Sequence, residues 1–185
     1  MNRTVVAFSL SLLPFMISSG MMFSVLPIYI SKELGANVME TGMLFTTGAT
    51  VGLFTSIIIG KIADRFGKKP LILLSQMLFA LVMLIYSIIT DFVYAYPIHV
   101  LEGFAWASLG VAYPALLADV AKKGRRGEAF GIYNTVWNMG WVIGPILGGT
   151  LAHFFGFRLM LRISAIMILV GLIIAMVVIR EESSQ

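Results

Sequence analysis

The sequence contains no cysteine among its 185 residues, and only 12% of its residues are charged. The missing cysteine excludes disulfide bonds, thiol nucleophiles and thiolate metal sites. The scarcity of charge excludes an ordinary soluble domain, in which about 25% of residues are charged. In place of charge, the chain has 59% hydrophobic residues and a mean hydropathy of +0.95. These values predict an all-α membrane protein.

Six charge-poor runs follow one another along the chain, and each approaches or exceeds the length of about 20 residues that a membrane helix needs. They predict six transmembrane helices at residues 5–30, 41–60, 70–90, 92–118, 129–152 and 159–179. The first run is much longer than the apolar core of a signal peptide, about 7 to 15 residues, which predicts a retained helix. The runs are also too long and too evenly apolar for barrel strands.

The basic residues are distributed unevenly among the connections between these helices. One side of the membrane is predicted to hold ten of the thirteen: Arg3, Lys61, Arg65, Lys68, Lys69, Lys122, Lys123, Arg125, Arg126 and Arg180. The other side holds Lys32, Arg158 and Arg162. Because short basic loops stay in the cytoplasm, both termini are predicted to be cytoplasmic. The lipid bilayer therefore accounts for the net charge of +4, and no nucleic-acid partner is predicted.

An internal repeat divides the chain in two. Four residues recur as identities 89 residues later: Gly60, Ala63, Phe66 and Gly67 become Gly149, Ala152, Phe155 and Gly156. Three helices per repeat is an odd number, so the second copy must be inverted in the membrane. We therefore predict one six-helix bundle over 1–185, with a 3+3 inverted repeat (about 1–90 and about 91–180) and a polar tail at 181–185. The alternative is chance similarity between two glycine-rich helix ends.

Two segments resemble signatures of a known family. Residues 60–69, GKIADRFGKK, resemble the loop signature G-x-x-x-D-R-x-G-R-K of the major facilitator superfamily. Residues 140–149, GWVIGPILGG, are similar to its fifth-helix signature G-x-x-x-G-P-x-x-G-G, which is typical of members that export drugs and other solutes in exchange for protons. The resemblance covers the whole chain and matches the N-terminal six-helix half of such a transporter.

This resemblance implies a multi-pass protein of the cell membrane that needs no cofactor. It also implies a second six-helix half as a partner, supplied by the same type of chain or by a separate polypeptide. Two versions remain open: a fragment of a longer transporter, or a six-helix protein that pairs with another half. A membrane subunit that packs with a partner without transporting anything is a further alternative.

The loop signature assigns roles to one group of residues. Its members are Gly60, Asp64, Arg65, Gly67, Lys68 and Lys69. In the family, the acidic position latches this loop to a helix of the other half. From the residues alone, a carboxylate among four cations is expected to pair with one of them or to accept from a helix N-terminus, and Asp119 is a predicted partner of Arg65 or Lys68. The alternative is a loop that only anchors the topology.

The fifth-helix signature predicts a packing surface. Gly140, Gly144 and Gly148 lie on one helical face, where small residues let another backbone approach closely. Pro145 removes one backbone donor and loosens the helix. Together with Gly149, these residues predict a kinked helix at a tight interface.

His99 and Glu102 are the ionisable residues well inside a predicted span, and they share a helical face with Trp106 and Tyr113. Charges at that depth are unfavourable, so they are candidate functional groups. The family has arginine and glutamine at these two positions. Arginine stays charged, whereas histidine and glutamate exchange protons. We predict that Glu102, assisted by His99, carries a coupling proton; the alternative is that the two only hydrogen-bond each other or a neighbouring helix.

Other polar residues extend the predicted cavity. Asn134, Asn138 and Trp141 either line it or form hydrogen bonds between helices. The function predicted from these features is transport of a small solute, and its expected form is export coupled to protons. No nucleophile–base pair, metal-ligand spacing or phosphate loop is recognisable, so neither an enzyme nor a metal site is predicted.

Overall fold

The computed structural model describes residues 3–179, so Arg180 and the predicted tail at 181–185 lie outside the described residues. All regular secondary structure within 3–179 is helical. The helices are α1 (Arg3–Ser11), α2 (Leu13–Lys32), α3 (Val38–Phe66), α4 (Lys68–Tyr86), α5 (Ala95–Val120), α6 (Arg126–Phe155) and α7 (Phe157–Val178), with a 3-10 turn (Phe92–Tyr94) before α5. The predicted all-α class is confirmed for these residues.

Helix boundaries differ from the predicted spans at several ends, and the clearest differences are in the first span and around the start of α5. The first span is divided into α1 and α2 at Leu12, where the Leu12 N–H donates to the Ser9 carbonyl at 3.1 Å. Pro14 follows in the first turn of α2 and has no N–H to continue the helical ladder. The predicted third span ended at residue 90, but α4 ends at Tyr86, and α5 begins at Ala95 instead of residue 92.

Local sequence explains how α3 begins and ends. Asn37 and Glu40 form a capping box, in which Asn37 Oδ1 accepts from the Glu40 N–H at 2.9 Å and Glu40 Oε2 accepts from the Asn37 N–H at 2.8 Å. Gly67 ends the helix with φ of 93°, a conformation that residues with a Cβ rarely adopt. The chain therefore reverses directly into α4.

Five helical stretches of residues 3–179 are long and apolar enough, by length and composition, to cross a membrane. They are Arg3–Lys32, Val38–Phe66, Lys68–Tyr86, Phe92–Val120 and Phe157–Val178. The helix α6 has sufficient length at 30 residues, but its asparagines and glycines lower its hydropathy. Length and hydropathy therefore support five of the six predicted spans, and the sixth, in α6, stays a prediction.

The helices pack in two groups around a shared centre. In one group α2 packs against α6 and α7, and in the other α5 packs against α3 and α4; contacts between α4 and α7 join the groups. Large side chains that are fully buried fill the centre: Phe15, Tyr29, Phe79, Tyr86 and Tyr113. The most apolar stretch of α3 is only 17% buried, against 67% for that of α1 and α2. The helix α3 therefore lies at the periphery, where it covers one side of α5.

Candidate functional site

The structure brings His99 and Glu102 together on α5. His99 Nδ1 lies 2.9 Å from Glu102 Oε2, one helical turn apart, and the two residues are 1% and 3% exposed. The helix α5 begins at Ala95 and not at residue 92 as predicted. His99 and Glu102 therefore lie about 6 and about 10 Å from its start, closer to this end of the helix than the sequence predicted. A titratable pair is thus buried in the N-terminal half of a helix that is long and apolar enough to cross a membrane.

This pair retains unused hydrogen-bonding capacity. His99 Nε2 and Glu102 Oε2 are buried and form no hydrogen bond within residues 3–179, since the 2.9 Å contact lacks hydrogen-bond geometry. A buried polar atom without a partner costs about 1 to 3 kcal/mol. Imidazole and carboxyl groups both bind and release protons. The arrangement is therefore chemically suited to take up a proton or to bind a polar group of a ligand.

The pair faces a cavity of about 230 Å³ formed by three helices. The lining residues are Phe23 from α2, Phe45, Gly48, Ala49 and Gly52 from α3, and His99, Glu102, Gly103 and Trp106 from α5. Trp106 is held by aromatic contacts, with ring centroids 5.0 Å from Phe79 and 5.7 Å from Phe23. The cavity is apolar and aromatic except at one wall, where the titratable pair lies.

Glycines allow α3 to cover the pair. A Cβ built on Gly48 would lie 3.1 Å from the His99 carbonyl oxygen, and one built on Gly103 would overlap the Gly48 carbonyl. The two backbones therefore touch directly beside Glu102. The sequence reasoning missed Phe23, Phe45 and these glycines as site residues; the spacing of Gly48 and Gly52, a small-xxx-small pattern, was the available signal.

Tyr113, which was predicted to line the cavity, has a different position. Its hydroxyl donates to the Phe8 carbonyl at 2.6 Å, and its ring stacks on Phe8 and Tyr133 at 4.3 and 5.2 Å. The side chain is 1% exposed. Tyr113 joins α5 to α1 and α6 and is not among the cavity residues.

The predicted cavity residues of α6 are on the outside of the bundle. Asn134 and Asn138 are exposed, and Asn138 Nδ2 donates to the Asn134 carbonyl at 2.8 Å within the same helix. Trp141 is 39% exposed, and its ring lies 6.3 Å from that of Phe23. None of the three lines the cavity at His99, although Trp141 adjoins it through Phe23.

The loop motif lies at one end of the bundle with the ends of α5 and α7. Lys68 Nζ contacts Asp119 Oδ2 at 2.7 Å, and Lys69 Nζ donates to the Met176 carbonyl at 3.1 Å. Arg65 lies over the Phe66 ring at 5.1 Å. Asp64, by contrast, is exposed and forms no ion pair or hydrogen bond with any residue from 3 to 179. The pairing expected for Asp64 is thus absent there, and among residues 3–179 Asp119 is a carboxylate that contacts this loop, through Lys68.

Replacement of Asp119 by Asn is expected to have a small, salt-sensitive effect on stability. Because the Asp119 side chain is 55% exposed, its contact with Lys68 should contribute less than about 1 kcal/mol. Thermal unfolding of the purified protein at low and high ionic strength measures this, and the difference from wild type should disappear in high salt. Asp64→Asn is the matched control. It removes an exposed carboxylate at the same end of the bundle, one that forms no ion pair with residues 3–179. A large loss that persists in high salt would contradict the surface-pair interpretation.

The glycines of the fifth-helix motif lie against α2. A Cβ built on Gly144 would lie 2.5 Å from the Ile17 carbonyl oxygen and 2.7 Å from Gly20 Cα, and one on Gly148 would lie 2.5 Å from the Met21 carbonyl oxygen. Gly140 meets α2 at Met16 in the same way. Pro145 lies beside Gly20, whereas Gly149 faces open space. The helix pair α2–α6 is therefore in backbone-to-backbone contact along two turns.

Comparisons with known proteins agree with this architecture. The sequence matches the Major Facilitator Superfamily over residues 8–185. The class H tetracycline resistance protein of Pasteurella multocida is 29% identical over 82% of this chain and 38% of that protein. A Na⁺, Li⁺, K⁺/H⁺ antiporter of Planococcus maritimus is 27% identical over 83% of this chain and 37% of that protein.

A solved structure has the same fold. The crystal structure of a peptide transporter in complex with alafosfalin superposes with a TM-score of 0.80 at 22% identity, covering 94% of this chain and 37% of that one. The chain thus spans less than two fifths of the length of each of these proteins. The family match covers nearly the whole sequence, and the chain therefore belongs to the Major Facilitator Superfamily and is a multi-pass protein of the cell membrane.

Proposed function

We propose that this chain is one lobe of a transporter that moves a small solute across the membrane by alternating access, exporting the solute in exchange for protons. The observation that carries the proposal is the buried His99–Glu102 pair, which faces a cavity of about 230 Å³. Ionisable groups inside a membrane are costly and typically take part in function. Two similar proteins support export in exchange for protons: the Na⁺, Li⁺, K⁺/H⁺ antiporter and the class H tetracycline resistance protein.

We further propose that the lobe is a 3+3 inverted repeat of six membrane helices, with α1 and α2 together crossing once. The four glycines with positive φ support the repeat, because they form two pairs, each 89 residues apart. Gly35 and Gly124 both have φ of 82°, while Gly67 and Gly156 have φ of 93° and 81°. The packing supports it as well: the contact of α2 with α6 corresponds to that of α5 with α3.

The same proposal places both termini in the cytoplasm. Its support is the basic end of the bundle, where Lys68 of the α3–α4 connection pairs with Asp119 of α5. Lys69 reaches the end of α7 at Met176. In this arrangement α6 is the sixth membrane helix, since a helix that packs tightly on α2 and faces a second lobe does not need to be apolar on all sides.

A second six-helix half is the partner in this proposal, and the outer faces of α3 and α6 are the surfaces for it. Asn134 and Asn138 are exposed there, and amide side chains are unfavourable in contact with lipid tails. Leu53, Phe54 and Ile57 on α3 are each at least 70% exposed. A facing lobe would cover both surfaces and would leave Asp64 available to latch the loop.

Flux through membrane vesicles tests the function. Vesicles with the chain and its second half are given an imposed pH gradient, and tetracycline, Na⁺, Li⁺ or K⁺ is added as the probe solute. The wild type is expected to exchange a probe for protons, and Glu102→Gln to lose at least about tenfold in rate, because the neutral amide cannot carry the proton.

Glu128→Gln is the matched control for this assay. Glu128 is a carboxylate in contact with a basic side chain, Arg125. It lies in the first turn of α6, outside the cavity that His99 and Glu102 face. Its replacement is expected to leave the flux near the wild-type rate. Undiminished proton-driven flux in Glu102→Gln would rule out the proposed role of the pair. If none of the probes moves in the wild type, the non-transporting subunit becomes the better interpretation.

A further inference from the structure

Tyr86 is a third polar residue beside the His99–Glu102 pair. It is the last residue of α4, and its side chain is fully buried. Its ring centroid lies 6.0 Å from that of His99 at an interplanar angle of 77°. Its hydroxyl forms no hydrogen bond with any residue from 3 to 179. The transport proposal gives this buried hydroxyl no role.

The position of Tyr86 is fixed by its neighbours. Tyr29 of α2 donates a hydrogen bond from its hydroxyl to the Tyr86 carbonyl at 2.7 Å. The two tyrosine rings meet edge to face with centroids 6.4 Å apart, and on the other side Tyr86 packs against His99. Backbone and ring are therefore held between α2 and α5, and only the hydroxyl is left without a partner.

Three polar atoms of this buried cluster thus form no hydrogen bond within residues 3–179, although one of them, on Glu102, contacts His99 Nδ1 at 2.9 Å. They are the Tyr86 hydroxyl, His99 Nε2 and Glu102 Oε2. Their chemistry is complementary, because a hydroxyl both donates and accepts, whereas a charged carboxylate only accepts. A donor is of most use beside a carboxylate that has just lost its proton, since hydrogen bonding to the charged form stabilises it.

Other titratable groups around the cluster do not offer this donor. The hydroxyl of Tyr29 is engaged by the Tyr86 carbonyl, and Arg162 of α7 donates to Ser87 Oγ at 3.3 Å. The helix α3 contributes Phe45 and Gly48 at this place. Tyr86 is therefore the tyrosine beside the pair whose hydroxyl is not engaged by another residue from 3 to 179.

We propose that Tyr86 is a positioning residue for the buried pair, whose hydroxyl donates a hydrogen bond to the pair in the state in which Glu102 is charged. The inference rests on the proposed proton-carrying function of Glu102. It adds that α4, which contributes no residue to the cavity lining, helps to determine the pH at which the pair releases its proton. The last residue of α4 thereby influences proton release by a carboxyl group on α5.

Infrared difference spectroscopy of the full chain in lipid bilayers tests the inference without a transported solute. The carboxyl C=O band of Glu102 is assigned by its absence in Glu102→Gln, and its intensity is followed as the pH is varied. Tyr86→Phe keeps the ring and removes only the hydroxyl. We expect its pH midpoint for this band to lie about one pH unit above that of the wild type, because the charged carboxylate has lost a donor.

Tyr113→Phe is the matched control, since it also removes a buried tyrosine hydroxyl, one that donates to the Phe8 carbonyl away from the pair. Its midpoint should equal that of the wild type, even if its thermal stability falls. An unshifted midpoint in Tyr86→Phe, or an equal shift in Tyr113→Phe, overturns the inference and leaves the proposed function intact. Failure of the proposed function is a different result, namely full proton-driven flux in Glu102→Gln.

Discussion

Replacement of Gly144 by Ala should sharply reduce the amount of folded protein in the membrane. The new Cβ would lie 2.5 Å from the Ile17 carbonyl oxygen and 2.7 Å from Gly20 Cα. Both are backbone atoms, so no side chain can rotate away, and α2 and α6 must separate. Overpacking typically costs about 1 to 3 kcal/mol, and the backbone contact places this site at the upper end. The helix propensity gained on replacing glycine by alanine is about 1 kcal/mol, so destabilisation prevails.

The measurement is thermal unfolding of the purified protein together with its level in the membrane. For a chain of this size, a net loss of about 2 kcal/mol lowers Tm by about 4 to 8 °C. Gly131→Ala is the control, since Gly131 lies on the same helix and its Cβ would meet no atom within 4 Å. The control should equal or exceed the wild type in stability. Equal stability of Gly144→Ala and Gly131→Ala would show that the α2–α6 contact is looser than described.

Gly103→Ala should be equally damaging, and it should also inactivate the candidate site. A Cβ at residue 103 would overlap the Gly48 carbonyl, so α3 has to move away from α5 next to Glu102. That movement opens the cavity wall formed by Phe45 and Gly48. We expect a loss of about 2 to 3 kcal/mol in stability and loss of any solute flux in the molecules that still fold.

Gly110→Ala separates this effect from a general intolerance of α5 to alanine. Gly110 lies on the same helix, two turns further along, and an added Cβ would meet nothing within 4 Å. Thermal unfolding and vesicle flux of both variants give the comparison. Normal flux and normal Tm in Gly103→Ala would contradict the close α3–α5 crossing and with it the described shape of the cavity.

The helical spans were predictable because each membrane crossing requires an uninterrupted apolar run. The break at Leu12 was not, since Pro14 is tolerated in the first turn of a helix and a proline in an apolar run does not by itself reveal a second helix start. The helix α6 was predicted from its lack of charge, yet its asparagines leave it below the hydropathy of the other spans. The lack of charge thus predicted the helix correctly, while its crossing of the membrane stays a prediction.

The candidate site was predictable only where it is chemically unusual. His99 and Glu102 were recognisable because charge is rare inside a span. Phe23 and Phe45 were not, since thirteen phenylalanines occur in the chain and only the packing of α2 and α3 on α5 selects these two. Tyr113 shares a helical stripe with Glu102, but a different neighbour, Phe8 of α1, covers that depth of α5. Helical spacing predicts which face of α5 a side chain lies on, but the helices that pack against that face differ from one end of α5 to the other.

The glycine contact between α2 and α6 has a thermodynamic consequence. At Gly140, Gly144 and Gly148, atoms of α2 pack against a helix face without side chains. Glycines have no rotamers to immobilise, so this association loses less side-chain conformational entropy than an interface of leucines or methionines. Its strength should therefore vary little with the mobility of surrounding side chains. In the proposed alternating access, we therefore expect α2 and α6 to move together as one unit.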